Sequence, residues 1–263
     1  MRTILCSLVA VAGIASLAGV ARGERLVEVR QVARGGYVAP RFAPDGGALL
    51  VSGPKLRGLY LADLGGGSVK QLSGDEAAGV HARFTAGGRI AFSAMQGGTR
   101  SELVIERDGS IRAAAATPAV AYTRDDRMYA IGKDGQLVRI GSGDRFYGEV
   151  VAPDGDKVAF LGLTTGIYVY TRSTGALVHV GRGTAPAWSP DSARLVFERT
   201  EDDGHDILAS DLYIYDLAAA RAAPVTATDR VIERRPSFSP DGTRIAYDDS
   251  EGAIYVGRLE VSP

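Results

Sequence analysis

The 263-residue chain is 45% hydrophobic and 23% charged, and its 30 basic and 31 acidic residues leave a net charge of −1. No block of like charge stands out, which argues against nucleic acid or an anionic membrane surface as the partner. The 34 glycines point to many tight turns and therefore to many short strands.

Residues 1–23 read as a secretory signal peptide. Arg2 supplies the positive start, Ile4 to Val20 is apolar, and Ala21-Arg22-Gly23 places small residues at the −3 and −1 positions, so cleavage is expected before Glu24. The 17-residue apolar stretch is at the short limit for a membrane span, and no span is expected in the mature chain. Cleavage removes Arg2, Arg22 and Cys6, the one cysteine, leaving 28 basic and 31 acidic residues. The mature protein, residues 24–263, therefore has a net charge of −3, no disulfide and no thiol nucleophile. A periplasmic or extracellular location is expected.

Downstream, Leu26 to Val32 alternates as a strand with no turn signature of its own. A repeated pattern then begins: an aromatic or apolar residue, a small residue, Pro-Asp-Gly or a variant, and an alternating apolar strand. It reads Phe42-Ala43-Pro44-Asp45-Gly46, Val151-Ala152-Pro153-Asp154-Gly155, Trp188-Ser189-Pro190-Asp191-Ser192 and Phe238-Ser239-Pro240-Asp241-Gly242. Phe84-Thr85-Ala86-Gly87-Gly88 and Tyr122-Thr123-Arg124-Asp125-Asp126 are degenerate copies. Proline presets φ for the first turn position, aspartate bonds its own following backbone, and glycine accepts positive φ, so each copy specifies a tight hairpin. Second apolar strands follow, such as Ile167-Tyr168-Val169-Tyr170, Leu212-Tyr213-Ile214-Tyr215 and Ile254-Tyr255-Val256.

Six copies in the mature length give about 40 residues each, the size of a four-stranded propeller blade. The expected fold is all-β: a six-bladed β-propeller of four-stranded antiparallel blades. The last copy runs out of chain after its third strand, so Leu26–Val32 is expected to pair near Ile254–Val256 and close the ring. A sandwich or an open β-solenoid fits less well, because six equal turn signatures are unusual in the first and capping units are missing for the second.

The repeat resembles the TolB-like, or PD40, propeller repeat, whose hallmark is an aromatic residue, Ser-Pro-Asp-Gly, a short apolar strand and an Ile-Tyr-Val strand. Phe238 to Val256 matches almost throughout, and the resemblance spans residues 26–260. It implies the fold and leaves function open: this family includes proteins that dock other envelope proteins, propeller domains of prolyl-oligopeptidase-type peptidases, and pectin-fragment lyases. The chain lacks the α/β domain that precedes the propeller in TolB itself.

Chemistry is sparse. No Gly-x-Ser-x-Gly elbow occurs, which excludes a serine hydrolase of this lineage. The three histidines, His81, His179 and His205, form no closely spaced pair, and His179 sits in a strand segment. One segment stands apart. Phe197 precedes Ile214 by 17 residues where Tyr247 precedes Ile254 by seven, and the extra length falls in Glu201–Asp211. Propeller topology sets this acidic loop on the face opposite the Pro-Asp-Gly turns, overhanging the channel mouth with His81, Glu149, Arg234 and Arg235.

The candidate ligand-binding residues are therefore Asp202, Asp203, His205, Asp206, His81, Glu149, Arg234 and Arg235. Asp202, Asp203 and Asp206 around Gly204 are candidate calcium ligands, although their spacing is not that of an EF-hand; a solvated acidic loop accounts for them better. The expectation is a monomeric, non-catalytic module that presents its channel face to a protein or a glycan of the cell envelope. The alternative is a metal-dependent lyase or lactonase with its site at the channel mouth.

Overall fold

The computed structural model describes residues 23–79, 81–85, 87–115, 119–228 and 231–261; the expected signal peptide lies, but for Gly23, outside them. No α-helix occurs among the described residues. The chain opens with β1 (Glu24–Arg34), whose partner comes from the far end of the sequence. Up-and-down units follow. β2 (Val38–Phe42), β3 (Ala48–Ser52), β4 (Arg57–Asp63) and β5 (Val69–Glu76) form one; β6 (Arg83–Phe84), β7 (Ile90–Gln96), β8 (Thr99–Ile105) and β9 (Ile111–Ala113) form the next. A single pair, Glu76 opposite Met95, joins these two into one continuous sheet.

β10 (Ala121–Arg124), β11 (Arg127–Ile131) and β12 (Leu137–Ile140) then form a three-stranded sheet. Two four-stranded sheets succeed it: β13 (Phe146–Val151), β14 (Lys157–Gly162), β15 (Gly166–Thr171) and β16 (Leu177–Gly181), then β17 (Thr184–Trp188), β18 (Arg194–Asp202), β19 (Ile207–Asp216) and β20 (Arg221–Pro224). The last contains β21 (Arg234–Phe238), β22 (Arg244–Asp248) and β23 (Ala253–Val261), with β1 antiparallel along β23 from Glu24 opposite Val261 to Arg34 opposite Ala253.

The turn signature works as its chemistry predicts. The amides of Gly46, Gly155, Ser192 and Gly242 donate to the carbonyls of Ala43, Ala152, Ser189 and Ser239, each with positive φ at the donor. The aspartate before each accepts the amide two residues on, as Asp45 does from Gly47 and Asp241 from Thr243. At the degenerate copy Asp125 and Asp126 take φ of 50° and 57°, the two left-handed central residues of a type I′ hairpin. Four inner strands share a further device. β2, β13, β17 and β21 each carry a bulge, with positive φ at Ala39, Gly148, Ala185 and Arg235.

Two expectations need correction. The unit at β10–β12 has three strands, because the copies at 124 and 153 are only 29 residues apart and no fourth strand fits that length. The insert at Glu201–Asp211 is also not a loose loop. Thr200 pairs with Ser210 and Asp202 with Ile207, so the extra residues lengthen two strands into a projecting hairpin.

Alternating apolar side chains meet between successive sheets. Phe160 packs with Met128 and Ile140, Phe197 with Trp188 and Val169, and Ile245 with Phe238 and Val196. Leu49 and Val51 of β3 pack with Ile254 and Val256 of β23, so the first and last sheets share a core. Each fully buried Leu or Phe of this kind contributes about 1.5–3 kcal/mol.

Candidate functional site

Each inner-to-second hairpin turns at the Pro-Asp-Gly end, so the opposite ends of β18 and β19 project on the other face. There Gly204 donates to Asp202 Oδ1 (3.0 Å), while the amides of His205 and Asp206 donate to Asp203 Oδ1 (2.9 and 2.8 Å). Those two bonds hold the Asp203 carboxyl below the usual carboxylate range. Asp202, Asp203, His205 and Asp206 are exposed, and Leu208 beside them is 64% exposed.

An open cleft of about 370 Å³ runs beneath the hairpin. Asp202, His205 and Asp206 line it together with Thr184, Glu198 and Arg234. Of the expected neighbours, Arg234 is therefore brought to the insert. Arg235 turns inward instead: its guanidinium holds Asp248, which is fully buried, and its amide donates to Glu198 Oε2 at 2.6 Å. Glu198 also accepts from Thr184 Oγ1 (2.9 Å) and faces Arg234 at 4.0 Å.

The bulges explain these carboxylates. A bulge leaves an amide without a ladder partner, and the neighbouring sheet supplies an acceptor. Glu198 of β18 caps Arg235 of β21, and Asp248 of β22 caps Ala39 of β2 at 2.9 Å. Burial raises the Asp248 carboxyl above its ordinary range even though Arg235 opposes this. Burial also works against the charge on Arg235, but bonding to Asp248 outweighs it.

His81 and Glu149 do not line this cleft. Glu149 accepts from Thr123 Oγ1 (2.7 Å) and from the Thr123 amide (3.3 Å). Burial, then the charge of Arg100, lowers the pKa of His81, with Glu149 and Arg41 also within its field. Arg41 was not singled out from sequence. Burial disfavours its charge, which Asp248 favours and Arg235 opposes, and it acts in turn on His81.

Glu198 and Asp248 were also missed. Their signal is an acid directly after an apolar run within a strand, in Leu195-Val196-Phe197-Glu198 and Ile245-Ala246-Tyr247-Asp248. Among the described residues no three His, Cys, Asp or Glu side chains gather closely enough to hold a metal ion. His179 is stacked on Tyr168 with its Nε2 2.7 Å from the Thr165 carbonyl.

No family model matches the chain. Among solved structures it is similar to a gluconolactonase from Xanthomonas campestris, at 14% identity over 90% of this chain and 91% of that one, with a TM-score of 0.57. An oligogalacturonate lyase in complex with manganese matches at 14% identity over 90% and 95%, with a TM-score of 0.50. The fold is that of a β-propeller. TolB proteins also stand among the propeller's structural neighbours. TolB from Acinetobacter baumannii matches at 17% identity and a TM-score of 0.40 over 86% of this chain, which spans 55% of that protein's length. Among the propeller's described residues no helix is long and apolar enough to cross a membrane.

Proposed function

We propose that the protein is a six-bladed propeller, closed by its N-terminal strand, that is exported and binds a protein or glycan of the cell envelope through its channel face. The pairing of β1 with β23 and the core shared by the first and last sheets support closure. The start of the sequence supports export, with residues 1–23 removed and the mature monomer working in the periplasm or outside the cell.

One observation carries the binding reading. Three carboxylates of this face are committed to the protein itself, Glu198 to Thr184 and Arg235, Asp248 to Arg235 and Ala39, Glu149 to Thr123, while the β18–β19 hairpin offers exposed charge and the exposed Leu208 to solvent. Catalysis would need several of those carboxylates free to meet substrate. A rim of charge around an exposed apolar residue is instead suited to recognition.

The test introduces a photo-crosslinking residue at Leu208 of the mature protein, or at Thr243 on the opposite face, before exposure to envelope extract and immobilised glycans. Adducts are expected from position 208 alone, and their loss in Asp202→Ala/Asp206→Ala. Equal adducts from both faces overturn the reading. Turnover of a lactone or an acidic oligosaccharide with a divalent metal supports the enzyme alternative.

A further inference from the structure

The three-stranded sheet leaves a gap on the outer rim. In other units the third strand is covered by a fourth, and its residues on the side packed against a neighbouring sheet are buried: Ile167 and Val169 in β15, Ile254 and Val256 in β23. On the corresponding side of β12, Val138 opposite Ala130 is 37% exposed where Val169 opposite Ala159 is 1% exposed, and Leu137 and Arg139, opposite Ile131 and Tyr129, lie on the other side. Leu137 is 56% exposed, and Arg139 is exposed beside it. β12 pairs only with β11 among the described residues, so the backbone groups on its outer edge meet no strand.

The neighbouring sheet is uncovered at the same place. Met128, Ala130 and Ile140 of the three-stranded sheet pack against Phe160 and Tyr170 of the next, which identifies the facing sides. Val138 lies on that side, opposite Ala130. Leu177 is cross-strand from Tyr170 and His179 from Tyr168, so both belong to the facing side of β15–β16. Leu177 is nevertheless 43% exposed. Here a fourth strand after β12 would lie between Val138 and Leu177, and the 29-residue spacing omits it.

Charge indicates what fits. Arg124 is paired with Asp125, Arg145 with Asp126 and Lys133 with Asp156. Arg127 and Arg139 have no carboxylate partner among the described residues. The alternation of strands puts both on the side of the sheet away from Val138, where Tyr122 and Tyr129 stack at 5.4 Å. A strand added here meets an apolar wall on one side and cationic groups on the other.

We infer that the edge of β12 is a docking site for an extended segment of a partner protein, which supplies the missing fourth strand. Its residues alternate, apolar toward Val138 and Leu177 and acidic toward Arg139. Main-chain hydrogen bonds to the free edge provide affinity, and the alternation provides selectivity. This surface is on the rim, away from the channel face, so its failure leaves the channel-face reading intact, and the reverse holds too.

The test uses the mature full-length protein and a fluorescein-labelled octapeptide of alternating valine and glutamate, with a valine–lysine peptide as the counterpart. Anisotropy should show binding of the glutamate peptide, weakened roughly tenfold in Arg139→Glu as one charge-assisted contact is lost. The lysine peptide should bind Arg139→Glu better than wild type. Peptide binding should also slow hydrogen exchange at residues 137–140. Because Arg139 is exposed, the variant keeps its fold, and thermal melting checks this. Binding that Arg139→Glu leaves unchanged, or no binding of either peptide at millimolar concentration, overturns the proposal. So does a sedimenting dimer that Val138→Lys dissociates and the peptide does not compete with, since a second copy would then occupy the edge.

Discussion

At the scale of single residues, the propeller places its titratable groups where burial controls them. Arg235 and Asp248 form a buried pair, and removing the guanidinium would strand a carboxylate that also caps Ala39. Arg235→Ala should therefore cost about 3–5 kcal/mol by urea denaturation. The double variant Arg235→Ala/Asp248→Ala should cost less than the sum of the singles, because each single leaves an unpaired partner. A purely additive cycle would count against the pair. Glu233 is buried, accepts from Thr228 Oγ1 at 2.8 Å, and leaves Oε2 without a partner. Burial pushes its carboxyl up from 4.5 to about 7, against the Thr228 bond and helped by Asp211. The folded state thus holds this proton more tightly than the unfolded one. Nothing is lost below pH 4.5, where both states are protonated, and stability falls as pH rises from there through 7. Between pH 5 and pH 8, wild type should lose about 2 kcal/mol more than Glu233→Gln. Parallel pH profiles for the two proteins would refute this assignment.

At the scale of elements, the turns were legible in the sequence and the bulges were not. Proline, aspartate and glycine announce a hairpin through their own covalent geometry, and Asp45, Asp191 and Asp241 each bond the amide two residues on. Nothing local marks Ala39, Ala185 or Arg235 for positive φ, since those conformations are imposed by the inner strand's fit to its neighbours. The acceptors Glu198 and Asp248 were hidden for the same reason: they answer amides 37 and 209 residues away in sequence. The insert's position was readable from spacing, but its strand pairing was not, because Glu201–Asp206 is too polar to announce a strand. Its aspartates were read as candidate calcium ligands, against a solvated acidic loop as the bland alternative. The geometry spends Asp202 Oδ1 and Asp203 Oδ1 on turn amides, an arrangement that keeps the hairpin tip in shape without a metal. Millimolar calcium is accordingly expected to leave the thermal midpoint of wild type and of Asp202→Ala/Asp203→Ala/Asp206→Ala unmoved relative to chelator. A rise in wild type alone would reinstate the site, since a ligand at a hundred times its dissociation constant adds about 2.7 kcal/mol.

At the scale of the whole molecule, repetition creates a joint between the first and last units, and the sequence solves it twice over. The signature's basic residue reaches into the next sheet: the Arg244 guanidinium lies 5.1 Å from the Phe42 ring centre and donates to the Gly46 carbonyl at 2.9 Å. Arg194 makes the corresponding contact with Phe238 at 5.4 Å and pairs with Glu24 at 2.5 Å. The β1–β23 pairing adds ion pairs at Arg25–Glu260 and Arg258–Glu28, both 2.7–2.8 Å but exposed, so each contributes little. What β1 chiefly supplies is cover. It brings Ala33 into the core of Leu49, Val51, Ile254 and Val256, sets Leu26 against the core of Phe238 and Ile245, and satisfies the edge of β23 along nearly its full length. Removing residues 24–34 should therefore loosen the joint from both sides, exposing an apolar strand edge of the kind that aggregates. Urea unfolding of the truncated protein should lose cooperativity and midpoint together, with concentration-dependent light scattering. The rim gap at β12 makes a useful control, because no strand covers that edge among the described residues: Val138→Lys there should leave the unfolding transition nearly unchanged. If the truncation unfolds as sharply and as late as the full mature chain, the ring is held by the β2–β21 and β2–β22 contacts rather than by strand pairing, and the closing role of β1 fails.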